Sequence, residues 1–255
     1  MQNIPFDCSF SLYSKYNYDN KYFDFSSLIH QIYSDKYLFH GELSQLHCIL
    51  NRFTEQQQRE FIQIPQIGVN DRKSVFIRDY YDFFDTDSRF QEQYKQFIIT
   101  YIKPLFPDEI LLLYQTTPNI RISFPQSTAI GFRASDPSAD IIGLHTDSEF
   151  GHSEHEMNFV IPITNMYYSN SIYFEKYIDS YDKFNQYQNL ILNKNEFFRC
   201  YFNKLRHYNR INETDKTRIS IDFRIIPSSK YDEFTANKSV SSHKQLKLGE
   251  YFSLI

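Results

Sequence analysis

The stretch RISIDFRIIP, residues 218–227, alternates apolar and polar side chains. A β-strand turns successive side chains to opposite faces. Ile219, Ile221, Phe223 and Ile225 therefore share one face, and Arg218, Ser220, Asp222 and Arg224 share the other. The apolar face reads as the floor of a core. The polar face reads as a solvated surface or as the wall of a site. Arg218 and Ser220 point together, and a guanidinium fork beside a hydroxyl is a good receptor for a carboxylate.

The same grammar extends upstream to about residue 110. EILLLYQ (109–115), NIRISFP (119–125), IIGLHTD (141–147), MNFVIPIT (157–164), SIYFEKY (171–177) and EFFRCYF (196–202) are strand-sized, with Pro, Asn, Asp and Ser between them. The first half follows a helical period instead. FSSLIHQIYSDKYLF (25–39) spaces Leu28, Ile32 and Tyr33 on one side, and SQLHCILNRFTEQQQREFIQI (44–64) does so with Leu46, Leu50, Phe53 and Phe61. DSRFQEQYKQFIITYIKPLF (87–106) carries Phe90, Tyr94, Phe97, Ile98 and Tyr101 as a stripe that Pro104 ends. These stripes read as core packing. No linker or internal repeat divides the 255 residues. The expectation is one domain over 1–255. Residues 1–108 form a mainly helical support, 109–228 a β-sandwich or jelly-roll core, and 229–255 a C-terminal arm.

Bulk properties narrow the function classes. The net charge of −4 argues against a general nucleic-acid binder. Cys8, Cys48 and Cys200 are odd in number and widely spaced, which favours a reducing compartment over a disulfide framework. The first residues lack a cationic start followed by an apolar core, and no apolar run approaches the roughly 18 residues of a membrane span. The expectation is a cytoplasmic protein with a small-molecule partner and neither nucleic acid nor membrane.

HTDSEFGHSEHEMNFVIPIT (145–164) holds the chemistry. On a strand, His145 and Asp147 face the same way. An imidazole beside a carboxylate is two thirds of the 2-His-1-carboxylate face, which leaves positions open on Fe(II). By itself HxD is a weak signal. A third imidazole, His207, lies eleven residues before Arg218 in LRHYNRINETDKTRISIDFR (205–224). In this HxD…H…RxS pattern the chain resembles the Fe(II)/2-oxoglutarate-dependent oxygenases. More closely it is similar to the streptomycin-biosynthesis StrG-like group within them. The resembling segments lie within 119–226.

The resemblance implies a double-stranded β-helix, cupin-like core flanked by helices. It implies Fe(II) held by His145, Asp147 and His207, with 2-oxoglutarate and O2 as cosubstrates. Arg218 would bind the distal carboxylate of 2-oxoglutarate, with Ser220 assisting. Oxidative decarboxylation of that cosubstrate would drive oxidation of a small polar metabolite such as an amino sugar, aminocyclitol or amino-acid-like molecule. A carboxylate at position 147 argues for hydroxylation over halogenation. The chain departs from the family at YIDSYDKFNQYQNLILNKNE (177–196), which puts the substrate pocket in doubt.

Other residues are weaker candidates. Asn158 and Thr164 share a face of their strand, which makes them candidate cofactor contacts. Arg121, His155 and Glu175 are candidate substrate contacts, with Tyr173 weaker still. His152 is an alternative ligand, and SEFGHSEHE (148–156), with Glu149, Glu154 and Glu156, reads as a loop beside the metal. Two other classes compete: a metal-dependent cupin-like isomerase or hydrolase, and a non-catalytic small-molecule-binding barrel.

Overall fold

The computed structural model describes residues 11–61, 74–127, 142–177, 186–232, 238 and 245–255. The chain is mostly β, with two antiparallel sheets and a few helices. The elements are β1 (Tyr13–Asn17), α1 (Phe25–Tyr37), α2 (Glu55–Phe61), α3 (Val75–Thr86), α4 (Ser88–Phe97), β2 (Leu112–Gln115) and β3 (Asn119–Ser123). They continue with β4 (Ile142–His145), β5 (Met157–Pro162), β6 (Ile172–Glu175), β7 (Tyr187–Asn189), β8 (Glu196–Cys200), β9 (His207–Asn209), β10 (Arg218–Pro227) and β11 (Phe252–Leu254). The larger sheet runs β1-β8-β5-β10-β2-β11, with β3 also on β10, and the smaller runs β4-β9-β6-β7.

β10 is the central strand. Its first half pairs with β3, its last residues with β2, and its other side with β5. The expected alternation holds along it. Ile219, Ile221, Phe223 and Ile225 are fully buried, in one cluster with Phe25, Ile29, Phe76, Tyr80, Phe90, Tyr94 and Phe97 of the helices. Tyr94 meets Phe223 edge-on at 5.2 Å, and Phe97 meets Phe197 of β8 at 5.5 Å. Each such ring contributes about 1.5–3 kcal/mol on burial. A second cluster lies between the two sheets: Val160, Phe198 and Cys200 of the larger against Ile172 and Phe174 of the smaller.

The helices end for local reasons. Asp24 caps α1 by accepting from the Ser27 amide, and Asp87 caps α4 by accepting from the amides of Arg89 and Phe90. α4 widens into a single π turn over Ile98–Ile102 before Pro104. Three features differ from the sequence reading. Residues Leu43–Arg52 form 3-10 rather than α-helix. β1 lies inside the half expected to be helical, as the edge strand on β8. The departing segment 177–196 contributes β7, which pairs with β6. The side chain of Phe61 and all of Cys8 lie outside the described residues, and Cys48 and Cys200 are free thiols. Among the described residues no helix is long and apolar enough to cross a membrane.

Candidate metal centre

The site lies between the two sheets, where the polar face of β10 meets β4 and β9. β4 delivers His145, and a register shift between Ile142 and His145 bends it. Gly143 sits in this bend at φ +67°, a conformation that suits a residue without Cβ. The bend brings the Gly143 carbonyl to 2.5 Å from His145 Nδ1. A 3-10 turn over Asp147–Phe150 follows at once, with the Asp147 amide donating to the Phe202 carbonyl at 2.8 Å. On β9, His207 pairs directly with His145 across the strands.

His207 Nδ1 lies 3.2 Å from the Leu205 carbonyl. A carbonyl only accepts, so Nδ1 carries a proton on both rings, and Nε2 is the ring nitrogen left to face a metal. Both Nε2 atoms lie 3.6 Å from one atom, Asp147 Oδ1. His145, Asp147 and His207 form the one group among the described residues that can hold a metal ion. Donors about 2.1 Å from a shared ion lie about 3.0–3.4 Å apart at angles of 90–109°. The two imidazole–carboxylate gaps are a few tenths wider, and all three ligand atoms lie within 4.8 Å of one another. Phe150 stands edge-on to His145 at 4.7 Å and Phe202 stacks on His207 at 4.2 Å, which limits the rings' freedom.

Electrostatics put His207 and Asp147 in their metal-binding forms at neutral pH. Burial, with the His145 ring beside it, pushes the His207 imidazole down to about 3, so it stays neutral. Burial acts to raise the Asp147 carboxyl. The Arg224 guanidinium, the largest opposing influence, overrides this and holds it well below the usual carboxylate range. Asp147 is thus ionised although only 4% exposed.

Arg218 is 1% exposed. Its Nη1 donates to Ser220 Oγ at 3.0 Å and its Nη2 to Asn209 Oδ1 at 3.1 Å, while Nε has no partner among the described residues. Burial and the Arg121 charge push its guanidinium down to about 10, which leaves it cationic at neutral pH. The β9–β10 connection aims it. Asn212 ties that turn by donating to the Lys216 and Ser123 carbonyls at 2.8 and 3.0 Å. The result is a buried cation beside neutral partners, with no carboxylate paired to it among the described residues.

The remaining candidates scatter. Asn158 is in the site, but its Nδ2 donates to Asp147 Oδ2 at 2.7 Å. Thr164, expected at the cofactor, spends its hydroxyl on the backbone: it donates to the Thr217 carbonyl and accepts from the Ile219 amide. Arg121, expected at substrate, pairs with Asp222 at 3.0 Å. Glu175 is buried and accepts from the Arg206 amide at 2.8 Å and from Gln186 at 2.6 Å, bracing the backbone just before His207. His155 is on the surface beside Glu154. His152 is not in the ligand group; its Nδ1 meets Glu156 Oε2 at 2.8 Å. Sequence reasoning missed Asn209, although it shares the His207 face of β9. It also gave no role to Arg224, the last polar residue on the Arg218 face of β10. Nothing in the sequence pattern points to Tyr251, whose hydroxyl accepts from Arg224 at 3.1 Å.

The chain is similar to a streptomycin biosynthesis protein, StrG of Streptomyces griseus. The two are 28% identical over 188 residues, spanning 72% of this chain and 78% of StrG. No family model matches. Among solved structures the chain is similar to SnoK, a non-heme alpha ketoglutarate dependent carbocyclase from nogalamycin biosynthesis. That overlap has 9% identity and a TM-score of 0.44, covering 96% of this chain and 92% of that one. It is also similar to HygX of Streptomyces hygroscopicus, solved with nickel and 2-oxoglutarate bound. Identity there is 9% and the TM-score 0.43, over 86% of this chain and 83% of that one. At such scores these overlaps are loose.

Proposed function

We propose that this chain is an Fe(II)- and 2-oxoglutarate-dependent oxygenase, a single domain whose paired sheets form a double-stranded β-helix. The observation that carries this reading is the convergence of two histidine Nε2 atoms on one carboxylate oxygen, with the other polar atoms of all three side chains engaged elsewhere. His145, Asp147 and His207 are the metal ligands. Three ligands on one face leave room for a chelating keto acid and for O2. Iron, when bound with these cosubstrates, supplies the oxidation of an unactivated C–H bond.

The protein's own contribution is positioning. Arg218, with Ser220 and Asn209 beside it, receives the far carboxylate of 2-oxoglutarate, and its Nε, without a partner among the described residues, supports this assignment. A dicarboxylate there pairs a buried cation that has neutral partners only among the described residues, which a cupin-like isomerase or hydrolase does not need. Phe150 and Phe202 keep water from the ligand rings. The substrate is a small polar metabolite, of amino sugar, aminocyclitol or amino-acid type; the similarity to StrG supports a biosynthetic role. Hydroxylation is the expected outcome, since Asp147 occupies the position that halogenation requires open.

Anaerobic titration of the protein with Fe(II) and 2-oxoglutarate tests this. The expected result is a weak visible charge-transfer band that is absent in Arg218→Ala and in His207→Ala. Iron binding without a band in the unaltered protein refutes the cosubstrate. Iron binding unchanged in His207→Ala refutes the site.

A further inference from the structure

Asp147 Oδ2 faces away from the two imidazoles and accepts from three N–H donors. Arg224 Nη2 lies at 2.6 Å, Asn158 Nδ2 at 2.7 Å and Arg224 Nε at 3.1 Å. A carboxylate oxygen has two lone pairs, so three donors saturate it. The donors are themselves braced. Arg224 is 7% exposed, and its third nitrogen, Nη1, donates to Tyr251 Oη at 3.1 Å. Glu156, 1% exposed, sets a second carboxylate 3.5 Å from Arg224 Nε and is itself held by His152 and by the Ser153 amide. Asn158 Oδ1 is left without a partner among the described residues, so the amide is oriented by its bond to Asp147.

From this arrangement we infer that Arg224 is a positioning residue that keeps Asp147 a one-oxygen metal ligand. It acts through Asp147 and touches neither metal nor cosubstrate. Without it Oδ2 is released to chelate alongside Oδ1. That change fills a position that the keto acid needs. The inference rests on the metal-centre reading above and adds a second arginine to it. Arg218 recruits the dicarboxylate, and Arg224 preserves the vacancy it binds to. Residues that orient a metal ligand typically contribute 10–100-fold to metal affinity or activity.

Co(II) is the probe, because its visible absorption responds to coordination number. The apoprotein is titrated with Co(II) and then with 2-oxoglutarate, in wild type and in Arg224→Met, Arg224→Lys and Asn158→Ala. Circular dichroism checks the fold. The expected result is that Arg224→Met still binds Co(II) but with an altered spectrum, and needs at least about tenfold more 2-oxoglutarate to reach the midpoint of its spectral response. Arg224→Lys restores part of the response and Asn158→Ala gives a smaller shift in the same direction. A folded Arg224→Met with the wild-type spectrum and midpoint overturns the inference. If Arg224→Met does not fold, the other two variants decide, and wild-type behaviour in both overturns it. Failure of the metal-centre reading looks different. In that case wild type binds no Co(II), or His207→Ala binds it unchanged.

Discussion

Arg218 and His207 are both buried, and burial acts on them in opposite functional senses. For Arg218 the low-dielectric surroundings strengthen whatever anion it meets. Replacing it with Lys keeps the charge but loses the fork that reaches Ser220 and Asn209. Arg218→Lys is expected to weaken 2-oxoglutarate binding by about 1.5–3 kcal/mol, measured as a shift in the titration midpoint. For His207 burial removes the charge. Its imidazole sits at about 3 when folded, against about 6.5 in an unfolded chain. The folded state therefore refuses a proton that the unfolded state accepts. Stability from this group is present above about 6.5 and is lost as the pH falls toward 3, at no more than about 1.4 kcal/mol per pH unit. Urea unfolding at stepped pH values reads this slope, and His207→Asn is expected to flatten it.

Among the elements, the helix caps and the short strands mark where sequence reasoning succeeds and where it stops. Asp87→Ala removes both acceptor bonds at the start of α4 and is expected to lower the unfolding free energy by about 1 kcal/mol in denaturant titration. α4 and β10 were legible because each carries a long unbroken period. β1 was not. YSKYN has no aliphatic residue, and it becomes a strand only because the β8 edge offers it hydrogen bonds. β7 and β9 are three residues each, too short for any period to register. In the site, the HxD…H pattern picked out His145, Asp147 and His207, which the fold brings together, and the alternation of β10 set Arg218 beside Ser220; Asp147, read as a residue of the same strand as His145, lies instead in the 3-10 turn that follows it. The bracing of Asp147 was not legible. It joins residues 147, 156, 158, 224 and 251 through side-chain geometry that no spacing encodes. Thr164 and Glu175 read as site residues for the same reason: a polar residue on a strand does not announce whether its partner is a ligand or the backbone.

The helical layer is tied to the larger sheet by one apolar cluster that runs from α1, α3 and α4 into β5, β8 and β10. The metal centre lies on the other face of those same strands. Damage to the helical layer should therefore reach the site. Phe97→Ala is expected to cost about 3–5 kcal/mol, and the temperature at which the protein releases Co(II) should fall together with the loss of its circular dichroism. Separate transitions for the two signals would show helices and sheets unfolding independently. Metal works in the reverse direction. At a free concentration 100 times its dissociation constant it should add about 2.7 kcal/mol to stability, visible as a raised melting temperature that His207→Ala does not show.

The central position of β10 also has a consequence for biogenesis. On a ribosome the chain emerges N-terminus first, at about 5–20 residues per second. The aromatic stripes of α1, α3 and α4 emerge first, yet the strand they rest on begins at Arg218 and ends at Pro227. Until β10 is made, the nascent chain holds Phe76, Tyr80, Phe90 and Phe97 without the apolar face of that strand. Such a chain invites chaperone capture through its first half. Its ligand set is also completed late, since His207 is made only shortly before β10.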